Sequence, residues 1–381
     1  MEKEDKMFNY YQPTKIHFGP GRLREIGKIT KKHGNRCLLV STADEPLIPL
    51  YERVKDLLSA EEIKVFHFDQ VSPNPTTEII EEGLRFLNEN PCDFVLAVGG
   101  GSSIDVAKAL AFVNGKIEID WKEVFFYDSP FEDYHTYNEK MLPIISIPTT
   151  SGTGSHVTQA SVITSGKEKV SFYHPDLFSK ECIVDSELTL TLPNSITAAT
   201  GFDAFTHAFE SYINPRASYY SEMDSITAMK LIVQYLPKVL KDPKNLDFRI
   251  KMSMADTLAG RALANSGADA PHPLSELIGG IVPIPHGNAL SVVYPSFIKY
   301  GYDKYQKKMD KVASIFNPAS QNLYRELTEF LSIIGLDRSL QEYHVDKTDF
   351  NEMIASPMLD HLPFGNRDFL EKILHESYEK K

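Results

Sequence analysis

The sequence predicts an α/β domain built on a parallel sheet, followed by an all-helical domain. Three observations point there. Short, wholly apolar segments such as Phe94–Val98 (FVLAV) and Ile144–Ile147 (IISI) alternate with amphipathic stretches through the first half, and strands apolar on both sides belong in parallel sheets covered on both faces. From about Asp185 onward the alternation yields to a helical periodicity that runs to the end. A chain of 381 residues is long enough for two domains, and the change of character divides it at residues 1–187 and 188–381.

Taken in order, Cys37–Ser41 (CLLVS) reads as a buried strand, PLYERVKDLLSAEEI as a helix, and Lys64–Phe68 as the next strand. Thr76–Asn88 sets Ile79, Ile80, Leu84 and Leu87 on one helical face. Phe94–Val98 and Ile144–Ile147 supply further strands. Lys116–Lys140, rich in aromatic and acidic residues and holding the single tryptophan, Trp121, reads as a surface excursion. Helices are expected at Ser195–Ile213, Ser221–Leu240, Asp247–Ala264, Tyr305–Ile315 and Leu323–Ile334. Internal repeats and low-complexity tracts are absent.

Composition narrows the function. Apolar residues make up 42% of the chain and charged residues 24%, with a net charge of −12. No basic field exists to meet nucleic-acid phosphates, so no nucleic-acid partner is expected. Three scattered cysteines without a CxxC pair fit a reducing compartment. The N-terminus is charged and lacks the apolar core of a secretory signal, and no apolar run is long enough to span a bilayer. A soluble, cytoplasmic protein with no membrane partner is the expectation.

Two loops are candidates for holding a nucleotide. In FVLAVGGGSSIDVAKALAFV an apolar strand runs into Gly99, Gly100 and Gly101 and then into a helix starting near Ser102 or Ser103. Glycines let the backbone approach a pyrophosphate, and the helix start offers free N–H groups. Asp105 and Lys108 follow in the first turns. Alone, this could be a plain tight turn. A second polar loop, PTTSGTGSH at Pro148–His156, also follows an apolar strand, and two such loops at the carboxyl ends of parallel strands meet at the crevice where ligands bind. Together they favour a dinucleotide-binding domain.

Asp203, His207, His272 and His286 form a second set. Asp203 and His207 are one helical turn apart on one face, with Phe202, Phe205 and Phe209 on the opposite, core side. His272 and His286 sit close together in SGADAPHPLSELIGGIVPIPHG, with Gly279-Gly280 read as the turn between them. Each has an ordinary explanation: a solvated Asp–His pair, a hydrogen-bonded core histidine, a turn histidine. All must hold at once for the set to be accidental. One carboxylate and three imidazoles would enclose a divalent transition metal such as Fe, Zn, Co or Ni.

The ordered set PTKIHFGPGRLREIG, VSPNPT, GGGSSIDVAK, IPTTSGTGS, GFDAFTHAFE and HPLSELIGGIVPIPHG resembles the iron-containing (group III) alcohol dehydrogenases over most of the chain. The resemblance implies an α/β dinucleotide-binding domain, an all-α metal-binding domain, and an active site in the cleft. It implies metal ligands at Asp203, His207, His272 and His286, holding Fe2+, Zn2+ or another divalent ion. Cofactor contacts are implied at Gly99, Gly100, Gly101, Ser102, Thr149, Thr150, Thr153 and Lys169, to which the helix start adds Ser103 and Asp105. Three departures stand out. His156 replaces the glutamate of the usual GTGSE. Glu276 replaces a histidine one turn after the third ligand, where it would act as a catalytic carboxylate relay or shape the pocket. Thr42 stands where NAD-preferring members carry aspartate, with Asp44 two residues on, which favours NADP over NAD slightly.

The implied chemistry is hydride transfer between nicotinamide and a small-molecule alcohol or aldehyde whose oxygen a metal polarises. Competing readings are a dehydroquinate-synthase-like lyase, a glycerol-dehydrogenase-like enzyme, a metal-free maleylacetate-reductase-like enzyme, and a non-catalytic nucleotide- or metal-binding relative. His156, Gln159, Ala160 and Ser161 are expected near the substrate, and a homodimer is the expected assembly.

Overall fold

The computed structural model describes residues 7–132, 134, 137–362 and 365–379. Residues 1–6, part of the charged N-terminus read above, lie outside them. Two compact units are present, one covering Gln12–Leu190 and the other the chain up to Tyr11 together with Thr191 onward.

In the first unit the strands are β1 Lys15–Phe18, β2 Arg36–Thr42, β3 Lys64–Val71, β4 Phe94–Gly99, β5 Ile144–Pro148, β6 Ala160–Ser165, β7 Glu168–Tyr173 and β8 Glu181–Val184. Six form one sheet in the order β1-β8-β5-β4-β2-β3, with every pairing parallel. The remaining two, β6 and β7, make an antiparallel hairpin. Helices α1 Ile48–Ser59, α2 Thr77–Glu89 and α3 Gly101–Val113 connect the strands. Successive residues of a strand point to opposite faces. Leu38, Val40, Val95 and Ala97 therefore enter one buried layer, and Cys37, Leu39, Phe94, Leu96 and Val98 the other. Burial on both faces is why these strands read as unbroken apolar runs.

The chain moves from β2 outward to β3, then returns to place β4 on the other side of β2. The strand order thus reverses between β2 and β4, and the carboxyl end of β4 is the switch point at which such sheets bind ligands. The described residues of Lys116–Lys140 lie at the surface, Val124 alone among them being buried, and the stretch is tied down at points. Among its described residues, Trp121 Nε1 donates to Glu81 Oε1 at 2.9 Å and Tyr137 stacks on Phe112 with centroids 4.1 Å apart. Trp121, Phe125, Tyr127 and Tyr137 pack against the apolar core, whereas Phe126 stays exposed.

The second unit is helical: α4 Asn194–Ile213, α5 Tyr219–Lys241, α6 Leu246–Ser266, α7 Pro271–Ile281, α8 His286–Phe316, α9 Leu323–Ile334, α10 Lys347–Ala355 and α11 Arg367–Tyr378. Phe202, Phe205, Phe209, Leu236, Leu274, Ile278, Leu290, Tyr294, Phe297, Leu327 and Leu370 share its core. Gly279 and Gly280 are not a turn, because α7 continues through both to Ile281. Burial of Leu274 and Ile278 outweighs the helix cost of glycine, about 1 kcal/mol each. The reversal instead occupies residues 282–285, and α8 opens directly on His286. Helix α8 begins well before the expected Tyr305 and passes through Pro295. Losing one backbone hydrogen bond there is offset by burying Leu290, Val293, Tyr294, Phe297 and Ile298. No helix among the described residues is long and apolar enough to cross a membrane.

Candidate active site

Helix α4 has two working faces. Phe202, Phe205 and Phe209 stack along the core side, with centroids 5.9 and 6.2 Å apart. Asp203 and His207 lie on the other side and are also buried. His272 is in the first turn of α7 and His286 is the first residue of α8. Around Asp203 Oδ1 stand Nε2 of His207 at 3.6 Å, of His286 at 3.7 Å and of His272 at 3.8 Å. The Asp203–His207 pair of α4 is thus joined by His272 of α7 and His286 of α8, which are distant from it in sequence.

These separations are too long for hydrogen bonds. Asp203 Oδ1 and His272 Nε2 are both buried and have no hydrogen-bond partner, although buried polar atoms are nearly always paired. Two ligands held at about 2.1 Å by one tetrahedral ion stand about 3.4 Å apart. Ligand atoms of Asp203, His207 and His272 all lie within 4.8 Å of one another, close to that spacing, and His286 Nε2 approaches the same Asp203 oxygen from α8. One carboxylate and three imidazoles without a thiolate suit a divalent transition metal. Burial would push the Asp203 carboxyl up, but the imidazoles of His207, His286 and His272 outweigh it and lower it to about 2. Burial works to lower His272, yet the carboxylates of Glu210 and Asp203 raise it to about 10. A cation binding at Nε2 needs that nitrogen unprotonated, so metal binding and protonation of His272 compete.

Two residues at this site escaped the sequence reading. Ser275 Oγ donates to the His272 carbonyl at 2.7 Å and lies 3.2 Å from His286 Nδ1, linking the helices that carry those histidines. Glu210 is wholly buried, with Oε1 2.7 Å from His272 Nδ1. Its signal was available, since three residues after His207 is the same helical face. Glu276 lies one turn beyond His272 on α7 and is partly exposed.

In the first unit the two polar loops are neighbours. Thr149 N donates to Gly99 O at 2.9 Å, and Gly99 pairs with Pro148 across β4 and β5. Gly99 has a φ of +157°, and a Cβ there would stand 2.3 Å from the Ser103 hydroxyl. A Cβ on Gly101 would meet Thr153 Cγ2 at 2.8 Å. Only glycine allows this turn to lie so close to its neighbours. Helix α3 starts at Gly101, so the N–H groups of Gly101, Ser102 and Ser103 are its free N-terminal donors. Thr150 and Thr153 are partly exposed beside them, whereas Thr149 is buried and Lys169 lies on β7 opposite Thr164.

Asp105 is turned the other way. It accepts Ser155 Oγ at 2.6 Å and the Val162 amide at 3.3 Å. Lys108, fully buried, donates to Thr158 O at 2.9 Å and Ala160 O at 2.7 Å. The pair anchors the GTGSH loop to α3, so Asp105 has a framework task at the start of that helix. Ala160 and Ser161, expected near substrate, belong to the same framework, with Ser161 Oγ bonded to Asp105 O at 2.9 Å. His156 is buried beside Lys108, and burial, followed by that cation, lowers it to about 3. A neutral imidazole there keeps the glutamate's place without its charge.

Thr42 closes β2, and its hydroxyl donates to Asp44 Oδ2 at 2.9 Å. Asp44 is exposed, so a carboxylate does stand beside the end of β2 despite the threonine at its tip.

Comparison with known proteins identifies the family. The family model for iron-containing alcohol dehydrogenases matches residues 13–186, and that for the C-terminal part of the same family matches residues 197–376. The chain is 30% identical to a choline dehydrogenase of Bacillus subtilis, covering all of this chain and 96% of the relative. It is 32% identical to a long-chain-alcohol dehydrogenase of Geobacillus thermodenitrificans over 88% of this chain and 86% of that one. Its fold is similar to that of an archaeal halo-thermophilic alcohol dehydrogenase from a Red Sea brine pool, with a TM-score of 0.89, 29% identity, and coverage of 98% and 100%. With a switch-point glycine loop in one unit, a carboxylate–trihistidine cluster in the other, and family matches across both, the chain belongs to the iron-containing alcohol dehydrogenases.

Proposed function

We propose that this alcohol dehydrogenase uses a divalent metal, Fe2+ in the first instance, held by Asp203, His207, His272 and His286, and prefers NAD(H) to NADP(H). The observation that carries the reading is the buried Asp203 oxygen, without a hydrogen bond, ringed by three imidazole nitrogens at 3.6–3.8 Å. Bound there, the cation supplies Lewis-acid polarisation of the substrate oxygen, acidifying an alcohol in one direction and activating an aldehyde or ketone in the other. One carboxylate and three neutral imidazoles leave a divalent charge only half neutralised, which suits that task. Glu276, one turn from His272, is the candidate proton relay. The N–H groups at the start of α3 would hold the cofactor pyrophosphate, with Thr150 and Thr153 alongside.

Asp44 supports the NAD(H) preference. Its carboxylate, accepting from the Thr42 hydroxyl at the end of β2, opposes a 2′-phosphate and can accept from a 2′-hydroxyl. Relatives named for choline and for long-chain alcohols leave the proposed substrate at the class of small-molecule alcohols and their carbonyl products. A cytoplasmic homodimer completes the proposal, on the commonness of two-fold assemblies and three scattered cysteines with no CxxC pair.

An anaerobic assay of Fe2+-loaded protein against a panel of aldehydes and ketones tests this. Cofactor oxidation that requires the metal is expected, with kcat/KM favouring NADH over NADPH by about 10- to 100-fold, the order of one charge repulsion near a protein surface. Turnover indifferent to metal contradicts the ligand assignment, and a preference for NADPH contradicts the role given to Asp44.

A further inference from the structure

We propose that Glu210 is the positioning residue of the metal centre, holding His272 in the one tautomer and orientation that presents its Nε2 to the cation. This rests on the reading of Asp203, His207, His272 and His286 as metal ligands. Asp203, His207 and Glu210 are spaced at i, i+4 and i+7 on α4, so all three fall on one face. The Glu210 side chain is fully buried, a costly place for a carboxylate unless its oxygens are satisfied.

Three donors converge on it. Oε2 accepts the Asp269 backbone amide at 2.7 Å, a group that can only donate. Oε1 accepts the Tyr294 hydroxyl at 2.9 Å, closer than that hydroxyl's other acceptor, Thr206 O at 3.3 Å. The third partner of the carboxylate, again through Oε1, is His272 Nδ1 at 2.7 Å. A carboxylate engaged by an amide and a hydroxyl is an acceptor on both oxygens, so Nδ1 of His272 carries the proton in this contact. With Nδ1–H directed at Glu210, the lone pair of a neutral His272 is on Nε2, the atom that is buried without a hydrogen-bond partner 3.8 Å from Asp203 Oδ1. A carboxylate behind a ligating histidine orients the ring and raises its basicity.

The same network sets where His272 begins. Asp269 Oδ1 accepts the Ala270 amide at 2.7 Å and Oδ2 accepts the Tyr305 hydroxyl at 2.8 Å. Glu210 thereby ties the chain just before α7 to α4, and Tyr305 ties it to α8. Metal ligands on three helices share one carboxylate as their common reference.

The test is Co2+ binding, followed through its visible absorption, in the wild type, Glu210→Gln and Tyr294→Phe. Glutamine can still accept on one atom but turns an N–H toward the Asp269 amide or toward His272. Glu210→Gln is expected to weaken Co2+ binding by about 10- to 100-fold and shift the bands, with Tyr294→Phe, which keeps the His272 contact, weakened far less. Equal affinity and identical bands in the wild type and Glu210→Gln overturn the inference. Failure of the wild type to bind Co2+ more tightly than His272→Ala overturns the underlying ligand assignment instead. Should Glu210→Gln not fold, by circular dichroism, the decision passes to 15N NMR of the Zn2+-loaded wild type. A protonated Nδ1 on His272 supports the inference, and an unprotonated one overturns it.

Discussion

His272→Ala is expected to cost at least about three orders of magnitude in kcat/KM, or about 4 kcal/mol of transition-state stabilisation, while NADH affinity stays within about twofold. The reasoning joins two parts of the structure. His272 supplies one of the nitrogens set around Asp203, and a divalent metal can lower the pKa of a bound hydroxyl-type ligand by about eight units, so even partial loss of the ion is expensive. The switch-point loops at Gly99–Ser103 and Thr149–Thr153 belong to Gln12–Leu190 and hold their geometry through Asp105, Lys108 and Ser155 of that same unit. The variant also leaves Glu210 without one of its three donors, which adds about 1–3 kcal/mol of folding cost. Turnover with Fe2+ present, NADH fluorescence titration and thermal melting read these three effects separately. Wild-type turnover in the variant would contradict the metal assignment.

Gly287→Ala is the second large effect, and it is steric. A Cβ at Gly287 would stand 2.1 Å from the Ala199 carbonyl oxygen and 2.6 Å from its carbon. Both are backbone atoms of α4, which cannot rotate aside as a side chain could. Gly287 follows His286 in the first turn of α8, and Ala199 is one turn before Asp203 on α4. Helix α8 must therefore move away at the point where it delivers His286. A loss of about 2–4 kcal/mol in stability is expected, together with weaker metal binding, because His286 shifts relative to Asp203. Gly301→Ala on the same helix is the contrast. Its Cβ would meet neighbours only at 3.6–3.8 Å, so the gain in helix propensity, about 1 kcal/mol, should leave it neutral or more stable. Melting curves of the two variants decide the matter, and equal melting temperatures would contradict the close approach of α4 and α8.

Much of this architecture was legible because it rests on periodicity. The sheet strands are buried on both faces, so their composition alone identified them, and the phenylalanine face of α4 placed Asp203 and His207 together on the other side of the helix. What was not legible depends on partners distant in sequence. The edge strand β1 and the strand β8 are four residues each, too short for a pattern. Gly279–Gly280 suggested a turn because local propensity was visible and the packing of Leu274 and Ile278 was not. Asp105 resembled a phosphate-loop residue by position, and only the fold shows Ser155 and Lys108 drawing it inward. The hydrogen bond between Thr42 and Asp44 at the end of β2 was likewise not readable from their spacing alone. Glu210 lay in view on the α4 face, but its three donors come from residues at least 59 positions away.

Crystals of the Fe2+-loaded protein grown without oxygen, measured on either side of the iron absorption edge, test the central claim most directly. The account predicts one anomalous peak per chain, about 2.0–2.3 Å from the Asp203 carboxylate and from Nε2 of His207, His272 and His286. A peak at any other set of side chains, or none in protein that still turns over, would contradict it.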